Sequence, residues 1–144
     1  MPSPRPRVVL VTRAFVKRHD GRLLAIRRSA NESHHAGLWE CPGGKLDQGQ
    51  DIAHAQEREV IEETGYFVTP VELQCFADSY VIGDGAYKGL PYVVLFSVCR
   101  LVGGIKKLSD EHSALKWVSY RDFLDLNLTP EVRKAAIGLA KRLR

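Results

Sequence analysis

Three carboxylates, Glu59, Glu62 and Glu63, lie within five residues of one another in a stretch without Gly or Pro. At ~100° per residue a helix gathers them into one arc of about 100°, with Ala55 one turn earlier on the same face. Like charges at these spacings destabilise an isolated helix, so a partner is expected. A hard divalent cation such as Mg²⁺ is the fitting one, because it prefers oxygen ligands and is shared between carboxylates and substrate phosphates. The competing reading is a solvated acidic face, partly neutralised by Arg58 pairing with Glu62 at i, i+4. The preceding loop favours the cation: Pro42-Gly43-Gly44-Lys45 offers carbonyls, amides and an ammonium to a metal and a phosphate.

These groups need a rigid frame, and the chain supplies signals for one. Asp51 is a suitable N-cap and Gly65 a suitable C′ residue, so a helix is expected over 51–64. Val8 to Lys17 and Arg22 to Arg27 flank His19-Asp20-Gly21 and read as a β-hairpin. Ser29 to Gly37 is a loop, and Leu38 to Cys41 is a short strand running into the glycines. Val68 to Phe76, Pro91 to Val102 and Ala114 to Val118 read as strands, with a turn-rich stretch around Gly83, Gly85 and Gly89. Thr129-Pro130 opens a basic helix that is expected to run to the C-terminus. The fold class expected is α/β (α+β), with a mixed sheet, one catalytic helix and a C-terminal helix.

Gly44 followed, fourteen residues on, by Arg58-Glu59-Val60-Ile61-Glu62-Glu63-Thr64-Gly65-Tyr66 resembles the signature of the Nudix hydrolases. That pattern is Gly, five residues, Glu, seven residues, then Arg-Glu-apolar-x-Glu-Glu-x-Gly-apolar. The chain departs from it at one place, where Gln50 stands for the first Glu. An amide keeps hydrogen bonding to Arg58 or the loop but carries no charge, so position 50 is read as structural, with Asp47 as a partial substitute. Leu23 to Arg28, Leu38 to Lys45 and Glu111 to Ser119 look like flanking strands of the MutT-type, nucleotide-hydrolysing branch. The resemblance thus covers nearly the whole chain. It implies an α/β/α sandwich and Mg²⁺- or Mn²⁺-dependent hydrolysis of a nucleoside diphosphate linked to another moiety.

The resemblance also implies roles. The Gly44 carbonyl with Glu59, Glu62 and Glu63 would hold metal, Arg58 would orient a neighbouring carboxylate, and Glu59 would act as general base. Glu111, six residues before Trp117, would add a metal ligand or base, and Asn127 lies within a residue or two of a base-reading Asn. Lys45 and one of Arg27 and Arg28, with Arg27 preferred, are candidates for phosphate or base. Tyr80, Trp39, Phe76 and Phe96 are aromatic enough to stack on a base, with core packing as the competing role.

At 144 residues one domain is expected over 1–144, with residues 1–6 flexible. Apolar residues at 44% and charged residues at 26% exclude disorder and fibrous classes. No apolar run approaches the ~20 residues of a membrane span, and no export signal is visible, so a cytoplasmic setting is expected. Cys41, Cys75 and Cys99 fit no disulfide or zinc pattern and read as buried thiols. The net charge of +4 divides into −4 over residues 51–63, where Arg58 faces five acidic residues, and +8 elsewhere. That division favours a small phosphate substrate over nucleic acid. The partners expected are a nucleotide and at most a second copy of the chain. The alternatives are a catalytically silent domain binding nucleotide, RNA or protein, and an ADP-sugar or dinucleoside polyphosphate as substrate. The region around Tyr80-Val81-Ile82-Gly83, which lacks the expected Pro, does not support those two substrates.

Overall fold

A computed structural model describes residues 7–144; the expectation for residues 1–6 falls outside them. Strands β1 (Val9–Lys17) and β2 (Leu23–Arg28) meet around the Asp20-Gly21 turn, where Gly21 has φ 84°. The expected hairpin is paired only at Lys17↔Leu23, and then its strands part. Short strands β3 (Trp39–Glu40) and β4 (Gly43–Lys45) occupy the opening. β3 pairs with β2 and β4 with β1, both antiparallel, so one segment stitches the diverging strands together. Gly43 is obligatory there: a methyl group on it would lie 2.2 Å from the carbonyl oxygen of Thr12.

Helix α1 (Ile52–Thr64) has the expected ends. Asp51 accepts a hydrogen bond from the Ala53 amide, and Gly65, at φ 80°, donates to the Ile61 carbonyl. Strand β5 (Tyr66–Val81) follows, then β6 (Pro91–Gly104) and β7 (His112–Val118). β5 is longer than the expected 68–76 because it starts at Tyr66 and runs on through residues 77–81, which pair with β6 up to Val81↔Pro91. Bulges between Pro70 and Phe76, with Gln74 at φ 43°, fall inside the expected span, and the added residues 77–81 pair regularly but are mostly exposed, so no apolar alternation marks them in sequence.

β1 pairs in parallel with β6 along its whole length, β5 is antiparallel to β6, and β7 is antiparallel to β2. The sheet is therefore mixed, as expected. Alternation along β1 feeds two cores. Ala14 and Val16 face α1 with Leu24, Val60 and Val68, whereas Val9, Val11 and Phe15 face the C-terminal helices. Phe15 packs against Phe96 and Phe123 at 5.4 and 5.9 Å between ring centroids, so Phe96 is core, and Phe76 meets Phe96 at 6.1 Å. Cys41 and Cys99 are buried, and Cys75 is half-buried.

A short helix, α2 (Tyr120–Asp125), stands where none was expected, and the single helix expected from Thr129-Pro130 to the C-terminus is instead two pieces, α3 (Pro130–Gly138) and α4 (Ala140–Leu143). Ser119 caps α2 by accepting from the Asp122 amide. α3 ends at Gly138, whose hydrogen in place of a side chain admits the Phe76 ring, since a methyl group would lie 2.5 Å from Cε2. Thr129 precedes Pro130 as expected, but its hydroxyl makes no capping bond. Among the described residues no helix is long and apolar enough to cross a membrane.

Candidate active site

Helix α1 sets its acidic face against β4. The Glu59 carboxyl group rests on Gly44, where a methyl group would lie 2.7 Å from its Cδ. Glycine at 44 thus makes room for the Glu59 carboxylate, a closer constraint than loop flexibility. Arg58 bridges two acids, with Nη2 at 3.4 Å from Glu59 Oε1 and Nε at 3.4 Å from Glu62 Oε1. Glu62 is largely exposed, whereas Glu63 is buried and accepts a long 3.4 Å bond from the Gly43 amide.

Burial raises the proton affinity of Glu59, and the Glu62 and Glu111 charges add to this against Arg58. Glu63 is raised further by burial despite Arg13, with Glu40 and Glu59 adding to the effect. Glu111 is brought to this face by the loop before β7. The amides of Lys107 and Ser109 donate to the Thr64 and Glu63 carbonyls, and the Glu111 backbone carbonyl accepts from the Ser29 amide. Gln50 turns to its own loop, accepting from the Asp47 amide at 2.8 Å. A Glu could accept that same bond.

Among the described residues, no three His, Cys, Asp or Glu side chains converge closely enough to hold an ion by themselves. The surroundings nonetheless fit a hard cation. The donors are all oxygens, Glu59 is seated in a cradle that only glycine leaves open, and one neighbouring guanidinium serves two of the carboxylates. Mg²⁺ commonly takes one or two protein carboxylates and completes its shell with water and phosphate.

Beside this face, on the far side of β4, opens a cleft of about 430 Å³. Lys45 and Tyr80 line it, and Lys45 lies 4.5 Å from the centroid of Tyr87 in the β5–β6 turn. Arg28 lines it, whereas the preferred Arg27 is outside, donating to the Gly37 carbonyl. Strand alternation at β2 sends the two arginines apart, and the one facing the cleft is the second. Asn127 is also outside; it is exposed, and its carbonyl accepts from the Trp39 amide.

The cleft floor holds a buried network that sequence reading missed. Arg13 donates to Glu131 Oε1 at 2.8 Å and lies 3.4 Å from Glu40. Arg28 and His112 reach the other Glu40 oxygen at 3.3 and 2.9 Å. Burial opposes the Glu40 charge, but Arg13, His112 and Arg28 outweigh it and hold its pKa at about 2. A sequence signal existed: Arg13 is the one charge inside the apolar run from Val8 to Val16, which calls for a buried partner.

A family model described as "NUDIX domain" matches residues 6–137. A "MutT-like protein" of Streptomyces ambofaciens is 39% identical over 106 residues, 72% of this chain and 59% of that protein. The "CTP pyrophosphohydrolase" of Escherichia coli is 31% identical over 86% of this chain and 85% of that one. Among solved structures, the MutT protein of Methanosarcina mazei superposes with a TM-score of 0.73 and 27% identity, covering 97% of both chains. The chain spans 59% of the length of the first of these relatives.

Proposed function

Because the chain belongs to the Nudix hydrolase family, we propose that it hydrolyses a phosphoanhydride bond in a nucleotide, with nucleoside triphosphates, intact or damaged, as the substrate class. The observation that carries this is the seating of Glu59 on Gly44, on a face shared with Glu62 and Glu63 and beside a cleft reached by Lys45. Gly44, Glu59, Glu62, Glu63 and Glu111 would hold Mg²⁺ or Mn²⁺, which when bound offsets phosphate charge and acidifies water.

The remaining work falls to side chains. Lys45 meets the phosphate chain at the cleft mouth. Glu59, whose burial raises its proton affinity, accepts the proton of the attacking water. Arg58 holds Glu59 and Glu62 in register, and Glu111 adds a carboxylate from the opposite wall. Tyr80 and Arg28 line the cleft that takes the rest of the nucleotide. Support for a triphosphate comes from the relative named for CTP hydrolysis, whose length the chain nearly spans.

The test is release of phosphate or pyrophosphate from nucleoside triphosphates by the purified protein with Mg²⁺. Replacing Glu59 or Glu63 by Gln should lower the rate at least ~100-fold, the scale of a lost base or charge-stabilising group. Unchanged rates in both variants would reject the mechanism. One residue, Gln50, favours a second reading: a domain that binds nucleotide without turning it over. Affinity without product in a metal titration would establish that reading instead.

A further inference from the structure

A second cavity, of about 500 Å³, opens at the end of the sheet away from the cleft, beside the last turn of α4. β1 connects the two sites: Val9 lines the cleft and Lys17 lines this groove, about 26 Å further on at ~3.3 Å per residue. Four permanent cations, Lys17, Arg18, Arg100 and Arg142, line the groove against one carboxylate, Glu72. They converge from the end of β1, the turn before β2, β6 and α4.

Lys17 and Arg100 are direct partners in the parallel ladder, so their side chains leave the same face of the sheet side by side. Like charges placed in this way repel. Among the described residues the exposed Arg100 makes no ion pair or side-chain hydrogen bond, and Lys17 reaches only the backbone carbonyl of Arg142, at 3.1 Å. Arg142 meets Glu72 through Nε alone, at 2.6 Å, which leaves its two Nη groups without a partner among the described residues. Arg18 meets Asp20 through Nε and Nη2. The lining thus carries a net charge of +3, or +2 when Asp20 is counted with it.

A concave site with an excess of positive charge, two of whose cations repel each other, fits a compact anion that can bridge them. Guanidinium groups match phosphate oxygens in pairs, and the ammonium adds a point charge. No aromatic side chain lines the groove, so it lacks the stacking surface that holds bases and single-stranded nucleic acid.

We propose that this groove binds the phosphate chain of small oligophosphate anions, whether inorganic pyrophosphate or the tail of a nucleotide. It rests on the groove alone and stands whether or not the α1 face hydrolyses nucleotides.

The test is titration of inorganic pyrophosphate into isotope-labelled protein, in chelator and at low ionic strength, followed by amide resonances. Those of residues 17–21, 98–100 and 142 should move, and should still move in Lys45→Ala and Glu59→Gln, which separates this site from the candidate active site. Arg100→Glu should lower the affinity at least tenfold, the scale of one charge-assisted hydrogen bond, yet raise the ligand-free melting temperature by pairing with Lys17. Lys17→Gln keeps a donor for the Arg142 carbonyl and should weaken binding about tenfold. A nucleoside triphosphate titrated in the same way identifies the source: equal affinity assigns the site to the phosphate chain alone, and tighter binding assigns it to a nucleotide. Movement confined to residues 43–45 and 83–87, or an affinity unchanged in both variants, overturns the proposal. So does binding of a single-stranded RNA oligonucleotide in the groove without binding of pyrophosphate.

Discussion

The protein holds two sets of carboxylates about one strand apart, and they are treated in opposite ways. Glu40 and Glu131, in the cleft floor, are met by Arg13, Arg28 and His112, and Glu40 stays ionised down to about pH 2. On α1, Glu59 and Glu62 share the one cation Arg58, Glu63 feels Arg13 only without an ion pair, and burial raises the proton affinity of Glu59 and Glu63. Two charge sets of similar composition thus differ in whether the chain itself neutralises them. Carboxylates met from within hold the fold together, and carboxylates left short of countercharge stand ready for a ligand that brings its own.

The comparison breaks first at Glu40. Glu40→Ala leaves Arg13 and Arg28 facing buried space, and urea unfolding should show a loss of about 3–5 kcal/mol. A loss below about 1 kcal/mol would mean that the network is not structural. The same carboxylate sets an acid limb. Its folded pKa of about 2 lies below the ordinary 4.5, so its stabilisation is complete above pH 4.5 and is lost as pH falls from there to about 2. Melting temperatures of Glu40→Gln should lack that slope.

On α1 the prediction reverses. Glu63→Gln and Glu59→Gln should lower turnover at least ~100-fold, yet in chelator at pH 7 they should melt at or above the wild-type temperature. The sign follows from their raised pKa values. These groups favour the fold when protonated, and that contribution is lost as pH rises through the raised values, so removing the charge relieves the folded state. A large drop in the metal-free melting temperature would place them with Glu40 instead.

Gly44→Ala should cost about 10- to 100-fold in turnover with a small change in stability, because the methyl group displaces the Glu59 carboxyl. Mg²⁺ at ten times its dissociation constant should stabilise the wild type by about 1.4 kcal/mol in a thermal melt, and Glu59→Gln by less. The smallest effect is expected at Gln50→Glu, under about tenfold in turnover, because its side chain serves the Asp47 turn. A gain of orders of magnitude would show that position 50 belongs to the site.

Legibility differed between the two sets for a physical reason. The α1 acids are local in sequence, and a helix with a clear cap at each end converts their spacing directly into a shared face. The cleft network is assembled from β1, β2, β3, β7 and α3, whose residues lie up to 118 positions apart, as Arg13 and Glu131 do. Only one of its members, Arg13, announced itself, as a charge in an apolar strand. The choice of Arg28 over Arg27 depended on which face of β2 turns to the cleft, a binary outcome that alternation poses but does not answer. Likewise β5 was read short because its last residues, 77–81, pair with β6 yet are mostly exposed and carry no apolar alternation, and the C-terminal helix was read whole because the Phe76 ring against Gly138 is a contact between distant segments.

What the sequence determined by itself was therefore the family, the mixed-sheet sandwich and the acidic helix with its glycine, since each rests on short-range spacing, capping and periodicity. What only the tertiary structure decided was the cleft: which arginine faces it and which carboxylates are neutralised across strands. Those outcomes depend on register and on the parting of β1 from β2, where long-range pairing places groups that nothing in their own neighbourhood of the chain brings together.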